Sequence, residues 1–290
     1  MFEQTVTLIV FTFQVLFLSY LVPLKTSQRL DFLYKNYSPE EYPKLYTRPI
    51  DYYHKQLWIY RFVNQIILLC GLVLIAIGII LSVDLTGKLF KLMPIAFGMI
   101  EMIPLVWLER MECNQYSLMR QLNQEKRRTA ELKVRRFFDY ISPSQFALLP
   151  ASFLAAQLMQ AFLRDFDYSW GSKLLTSSLI LLVANIFLSL VMLKKLYGKK
   201  RNPYQDKKDR SQEIEVSIHA IVYICVAMNL FYMMIPLSNY YQLNSYEPLM
   251  SSLYFQVITF ASIWNRLKRL RLDEINFDVY RNDISAITNK

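Results

Sequence analysis

Seven apolar stretches, at roughly 5–24, 58–83, 92–109, 144–163, 174–193, 214–237 and 248–265, alternate with segments whose Lys and Arg fall almost entirely on one side. Each stretch is long enough to cross ~30 Å of hydrocarbon at ~1.5 Å per residue of helix. The segments 25–57, 110–143, 194–213 and 266–290 hold 28 basic residues. The opposite set, 1–4, 84–91, 164–173 and 238–247, holds 4, with Arg61 alone just inside a stretch. Positive residues stay in the cytoplasm, so the expected fold class is all-α. The chain reads as a polytopic integral membrane protein, a seven-transmembrane-helix bundle with its N-terminus outside and its C-terminus cytoplasmic. A transmembrane domain over 1–265 carries cytoplasmic loops 25–57, 110–143 and 194–213, and a cytoplasmic tail follows at 266–290.

The weakest stretch, 144–163, contains three glutamines and a proline. If it failed to cross, the four basic segments would divide evenly, 14 residues to a side. Crossing keeps all of them together, so its polar residues are expected to face protein rather than lipid. The first stretch lacks a basic residue before it and a small-x-small site after it, and positives follow at Lys25 and Arg29. It is expected to be a retained signal anchor with an exported N-terminus.

Hydrophobic content of 54% against 19% charge is too apolar for an ordinary soluble domain. The net charge of +10 has no nucleic-acid recognition motif beside it, so the expected anionic partner is inner-leaflet lipid and not nucleic acid. Cys70, Cys113 and Cys225 form neither a disulfide framework nor a Cys/His cluster, and His54 and His219 are the only histidines. No metal site and no cofactor are expected. Trp58, Trp107, Trp170 and Trp264 sit at stretch ends as interface anchors, and Tyr240, Tyr241 and Tyr246 crowd an outer loop.

The basic segments carry structure of their own. Ser38-Pro39-Glu40-Glu41 has the pattern of a helix start. Residues 110–138 extend the third stretch, with Leu118, Leu122 and Leu132 as an apolar stripe that would dock on another cytoplasmic element. Leu267, Leu270, Leu272, Ile275 and Phe277 suggest an amphipathic helix lying on the inner leaflet. A faint match of Trp107-Leu-Glu-Arg110 with Trp264-Asn-Arg266 is compatible with a duplication of stretches one to three as five to seven.

Glu101 is the sharpest candidate for chemistry, ~14 Å deep by helical rise and flanked by Pro94, Gly98 and Pro104. A carboxylate there must be protonated, paired or watered by a cavity. Gln14, Gln157, Gln160, Asn185, Asn229 and Gln256 lie at compatible depths on six helices. Together with Glu101 they would line one polar ligand or ion pocket; each is equally suited to joining two helices. Nearer the cytoplasmic end, Glu109, His219, Asn64 and Gln65 form a second polar set, in which a Glu–His pair would relay protons.

No GxSxG, HExxH, Walker or GxGxxG motif is present, so no enzymatic constellation emerges. Glu109-Arg110-Met111 matches two residues of the third-helix signature of G-protein-coupled receptors, but the sixth and seventh stretches lack the rest of that pattern. Residues 248–265 contain no lysine, which excludes a retinal Schiff base. The leading expectation is a receptor-like or sensory module that binds a small or lipophilic ligand mid-membrane. It would signal through its basic loops to a cytoplasmic protein partner at 110–143 and 194–213. A proton- or cation-coupled transporter or channel using Glu101 stands beside it, and a membrane scaffold without ligand is third. A homo-oligomer is compatible with each. Sparse cysteine and short outer loops fit a plasma membrane, the bacterial inner membrane in particular.

Overall fold

The computed structural model describes residues 2–80, 88–123 and 135–281. Among them the chain forms seven long helical elements, joined by loops and short 3₁₀ turns, and no β-strand. They are α1 (2–36), α2 (Ile50–Ile80), α3 (Lys88–Leu122), α4 (Pro143–Phe162), α5 (Lys173–Tyr197), α6 (Lys207–Tyr240) and α7 (247–269). The first six are long and apolar enough to cross a membrane. α7 is continuous but more polar: Ser251, Ser252 and Thr259 are buried along it, with Gln256 and Ser262 half-buried.

The direction in which the apolar surface faces follows from helical periodicity. On α2 the buried positions are Tyr60, Asn64, Ile67, Gly71, Ile75 and Gly78, spaced by three and four as one helix face. The opposite face exposes Ile66, Leu69, Val73, Ile77 and Ile80. α5 likewise exposes Ile180, Val183, Phe187 and Leu190 while Leu181 is fully buried. Water would not tolerate these continuous aliphatic surfaces; lipid requires them.

Capping chemistry fixes where helices begin. Ser142 accepts from Gln145 N at 3.3 Å while its own N–H reaches Gln145 Oε1 at 3.4 Å, and Pro143 takes the first helical position of α4. Ser172 caps α5 by accepting from Leu175 N at 3.1 Å. α1 and α7 each contain a π-helical turn, at Phe17–Leu21 and Phe260–Trp264. The two turns meet, with the Phe17 and Trp264 rings 5.9 Å apart.

Helices α1, α2 and α3 pack as one group and α4, α5 and α6 as another, while α7 lies between them against α1, α3 and α6. This grouping differs from a duplication of stretches one to three as five to seven, which would set the fourth apart. Close crossings are built on glycine. A Cβ at Gly71 would stand 2.7 Å from Val15 and 2.8 Å from Phe97, and one at Gly98 only 2.6 Å from the Phe255 ring. These positions bring α1, α2 and α3 together and seat α7 on α3.

The helices outrun their apolar stretches at one end, and the basic segments there fold into a cap. Tyr42, Leu45, Phe277 and Tyr280 form its buried core, with Tyr37, Tyr46 and Tyr204 packed around them. Asn276 N–H donates to Asp209 Oδ2 at 3.1 Å, Arg281 bonds Glu41 at 2.8 Å, and Gln115 Nε2 donates to the Leu45 carbonyl at 2.8 Å. Arg61 is ion-paired with Asp31 of α1, which satisfies its charge just inside the apolar stretch carried by α2. Burial pushes the Tyr280 phenol up to about 12, opposed by its hydrogen bond from Asn202, and burial beside Tyr53 pushes Tyr46 up to about 12. Both phenols therefore stay neutral at any physiological pH.

The cap departs from the sequence expectations in two places. Residues 38–41 make a single turn, with Tyr42 N–H bonded to the Ser38 carbonyl at 2.9 Å, and the helix begins only at Ile50. The described part of the tail is not a lipid-lying amphipathic helix: between Arg269 and Arg281 it carries the 3₁₀ turns Leu272–Glu274 and Asp278–Tyr280. Its apolar residues cover the aromatic core of the cap instead of lipid. The helical extension of the third stretch holds to Leu122 and docks through Gln115 and Met119, the latter 1% exposed. Leu132 lies outside the described residues.

Candidate functional site

Glu101 lies on the buried face of α3 with Pro94, Phe97, Gly98 and Pro104, and is 1% exposed. Its carboxyl is held by two donors from α1. Gln14 Nε2 donates to Oε2 at 2.9 Å and Ser19 Oγ donates to Oε1 at 2.7 Å. The same Gln14 amide nitrogen reaches the Pro94 carbonyl at 3.2 Å, while Gln14 Oε1 is buried without a partner among the described residues. Ser19 belongs to the π-helical turn of α1, so a local change of helical pitch accompanies the hydroxyl that meets the acid. One turn away, Gln256 Nε2 and Ser252 Oγ of α7 both donate to the Val10 carbonyl, at 3.0 and 3.3 Å. Gln14, Glu101 and Gln256 thus share one polar seam, where α1 meets α3 and α7.

The other four mid-membrane candidates lie in the second helix group. Asn185 and Asn229 exchange side-chain hydrogen bonds at 2.8 and 3.3 Å, and Asn229 also donates to Ser152 Oγ at 2.9 Å. This ties α4, α5 and α6 together. Nearer the other end of α4, Gln160 Oε1 accepts from Ser177 Oγ at 2.7 Å, and Gln157 Nε2 donates to the Ser178 carbonyl at 3.3 Å. Arg164 completes this corner by donating to Ser177 Oγ and to the Lys173 carbonyl, at 2.7 and 2.8 Å. The seven residues therefore divide into two seams that follow the two helix groups, and do not line one common pocket.

The second predicted set does not assemble. Glu109 is 3.9 Å from Arg201 in the cap. His219 bonds the Glu215 carbonyl at 2.9 Å and Gln145 Oε1 at 3.2 Å. Asn64 donates to the Tyr60 carbonyl of its own helix at 2.7 Å, and Gln65 is exposed. A Glu109–His219 relay has no geometry here, because each has its own nearer partner. The hydroxyls Ser19, Ser152 and Ser177 complete the observed contacts and are the partners that sequence reasoning missed. Their signal was a serine within an apolar stretch, a weak one because serine in a helix commonly bonds its own backbone.

Two cavities open within the cap. One, of about 460 Å³, lies between α3, the end of α5, the 198–206 connection and the start of α6. Among the described residues its wall contains Arg120, Lys194, Lys195, Lys199, Arg201 and Arg210, with Glu213 as the carboxylate. A smaller one, of about 200 Å³, lies between Pro43–Thr47, the end of α3 and Tyr204. Neither wall includes a mid-membrane candidate. No group of three or more His, Cys, Asp or Glu positioned to hold a metal ion occurs among the described residues. No protein-family model, curated protein or solved structure matches the chain.

Proposed function

We propose that the chain crosses a plasma membrane seven times, with its N-terminus outside and its cap in the cytosol, and serves as a receptor-like or sensory module. Recognition takes place on the cytosolic cap rather than mid-membrane. The observation that carries this is the cap itself. It holds its own aromatic core and two cavities, whereas the opposite connections 163–172 and 241–246 are short turns. Four segments rich in Lys and Arg meet in the cap, which supports seven crossings and the cytosolic side. Short outer turns and free cysteines favour a bacterial inner membrane as the setting. In this account Glu101 and the two polar seams hold the helices in register.

Photo-crosslinking in cells tests the recognition role. A photoreactive residue replacing Lys199 or Leu122 in the cap is expected to give a discrete adduct, and one replacing Tyr168 or Tyr241 on the other face is not. Adducts confined to 168 and 241 would contradict it. A transporter role for Glu101 is the second proposal, favoured by one observation: its Ser19 partner lies in a π-helical turn, a feature often found at functional sites.

A further inference from the structure

We propose that the 460 Å³ cavity of the cap is a binding site for a phosphate group carried on a small organic body, either a soluble phosphorylated molecule or the headgroup of an anionic lipid. The inference deepens the recognition role proposed above and rests on it for its biological sense, though the binding chemistry is independent of that role.

Six cationic side chains from three helices and one connection line this cavity. The carboxylates near them among the described residues are fewer: Glu213 on the wall, Glu109 at 3.9 Å from Arg201, and Glu112, whose charge acts on Lys195 and Arg201. Glu213 already accepts from Gln205 Nε2 at 2.8 Å. Arg120 Nε donates to the Arg201 carbonyl at 3.0 Å and Arg210 Nη2 to the Gly198 carbonyl at 3.0 Å. A neutral carbonyl fixes the Arg120 guanidinium in place without neutralising it. Arg201 is steered by Cys113 Sγ at 3.7 Å and, loosely, by Glu109 at 3.9 Å. Like charges crowded in this way repel, and an anion placed among them relieves that repulsion while gaining charge-assisted hydrogen bonds.

Size and level set the ligand class. A volume of about 460 Å³ is within the usual range for small-molecule sites and leaves room for more than a bare phosphate. Val191, Ile214 and Ser217 form the deep wall, so one side of the ligand meets a less polar surface. Lys194 and Lys195 mark the end of the apolar stretch of α5, which puts the cations at the level where lipid headgroups lie. Arginine forks and lysine points together suit the tetrahedral oxygens of a phosphate.

The test uses the full-length protein in nanodiscs of phosphatidylcholine, with and without phosphatidylglycerol, titrated with inorganic phosphate and pyrophosphate at ~0.15 M salt to screen diffuse attraction. Two double variants remove the same charge: Lys194→Gln with Lys199→Gln in the cavity wall, both at exposed positions, and Lys35→Gln with Lys55→Gln, also exposed but outside it. A soluble ligand predicts saturable pyrophosphate binding in neutral nanodiscs, seen by calorimetry and as a rise in Tm. A lipid ligand predicts that phosphatidylglycerol alone raises Tm, with little response to pyrophosphate. In either case the cavity double variant is expected to weaken the effect at least about tenfold and the outer double variant to leave it nearly unchanged. Equal losses in both variants, or no response to either anion source, would overturn the site. Cap photo-adducts that persist while phosphate binding fails would leave the recognition role standing without this ligand. Phosphate binding without cap adducts would show the reverse.

Discussion

Replacing Glu101 by leucine is expected to lower the stability of the purified protein by about 2–3 kcal/mol, read as a lower Tm in detergent or nanodiscs. The substitution leaves Ser19 Oγ and one of the two Gln14 contacts without their acceptor in a contact where Glu101 is 1% exposed. Some of the loss is recovered locally, since Ser19 can turn to its own helix backbone and Gln14 keeps the Pro94 carbonyl. Glu101→Gln separates the structural role from a chemical one. Its amide oxygen can accept from Ser19, while its amide nitrogen can reach Gln14 Oε1 only if Gln14 turns its amide over and gives up the Pro94 carbonyl. The glutamine variant is therefore expected to keep more of the stability than the leucine variant. In reconstituted vesicles it should also leave any proton or cation flux unchanged. A glutamine variant that folds normally but loses a measurable wild-type flux would transfer the function to the carboxylate, and the transporter proposal would replace the cap.

The other large effect is expected at Tyr280→Ala. Tyr280 is 5% exposed, packs with Tyr42, Leu45 and Phe277, and receives a hydrogen bond from Asn202. Removing a buried aromatic ring typically costs about 3–5 kcal/mol through lost burial and the cavity left behind. Here the cost falls on a segment, 270–281, that is held by short 3₁₀ turns and this aromatic cluster, so the cap should open locally while the helices stay folded. Limited trypsin digestion is expected to cleave the variant rapidly after Arg269 and Arg271, at conditions where the wild type resists. Cleavage at the wild-type rate would show that the tail is not held by this cluster.

What could be read from the sequence and what could not divide along physical lines. A run of apolar residues is a local property, so the six helices long and apolar enough to cross a membrane are legible, including α4, whose glutamines face Ser177 and the Ser178 carbonyl. The individual polar residues were visible for the same reason: Glu101, Asn185 and Asn229 are conspicuous in apolar surroundings. Their partners were not. Gln14 meets Glu101 across 87 positions and Asn229 meets Ser152 across 77, and no periodicity encodes such a pairing. Depth alone suggested one shared pocket, but depth carries no information about azimuth, and the helix grouping splits the set. The cap was least legible. Arg281 and Glu41 are joined across 240 positions, and Phe277 reads as part of an amphipathic helix on lipid until it is seen packed with Tyr280 on Tyr42. The π-helical turns leave no compositional mark, since Phe17–Leu21 and Phe260–Trp264 resemble their neighbours.

Cysteine mapping of sidedness tests the central claim most directly. In a variant lacking Cys70, Cys113 and Cys225, single cysteines would replace the exposed residues Glu40, Asp139, Lys199 and Asp278 on the cap, and Trp170 and Tyr241 on the other face. A membrane-impermeant maleimide applied to intact cells is predicted to label positions 170 and 241 alone, with the four cap positions reacting only after permeabilisation. Labelling that separates 139 from 199 across the bilayer would contradict a cytosolic cap and seven crossings together.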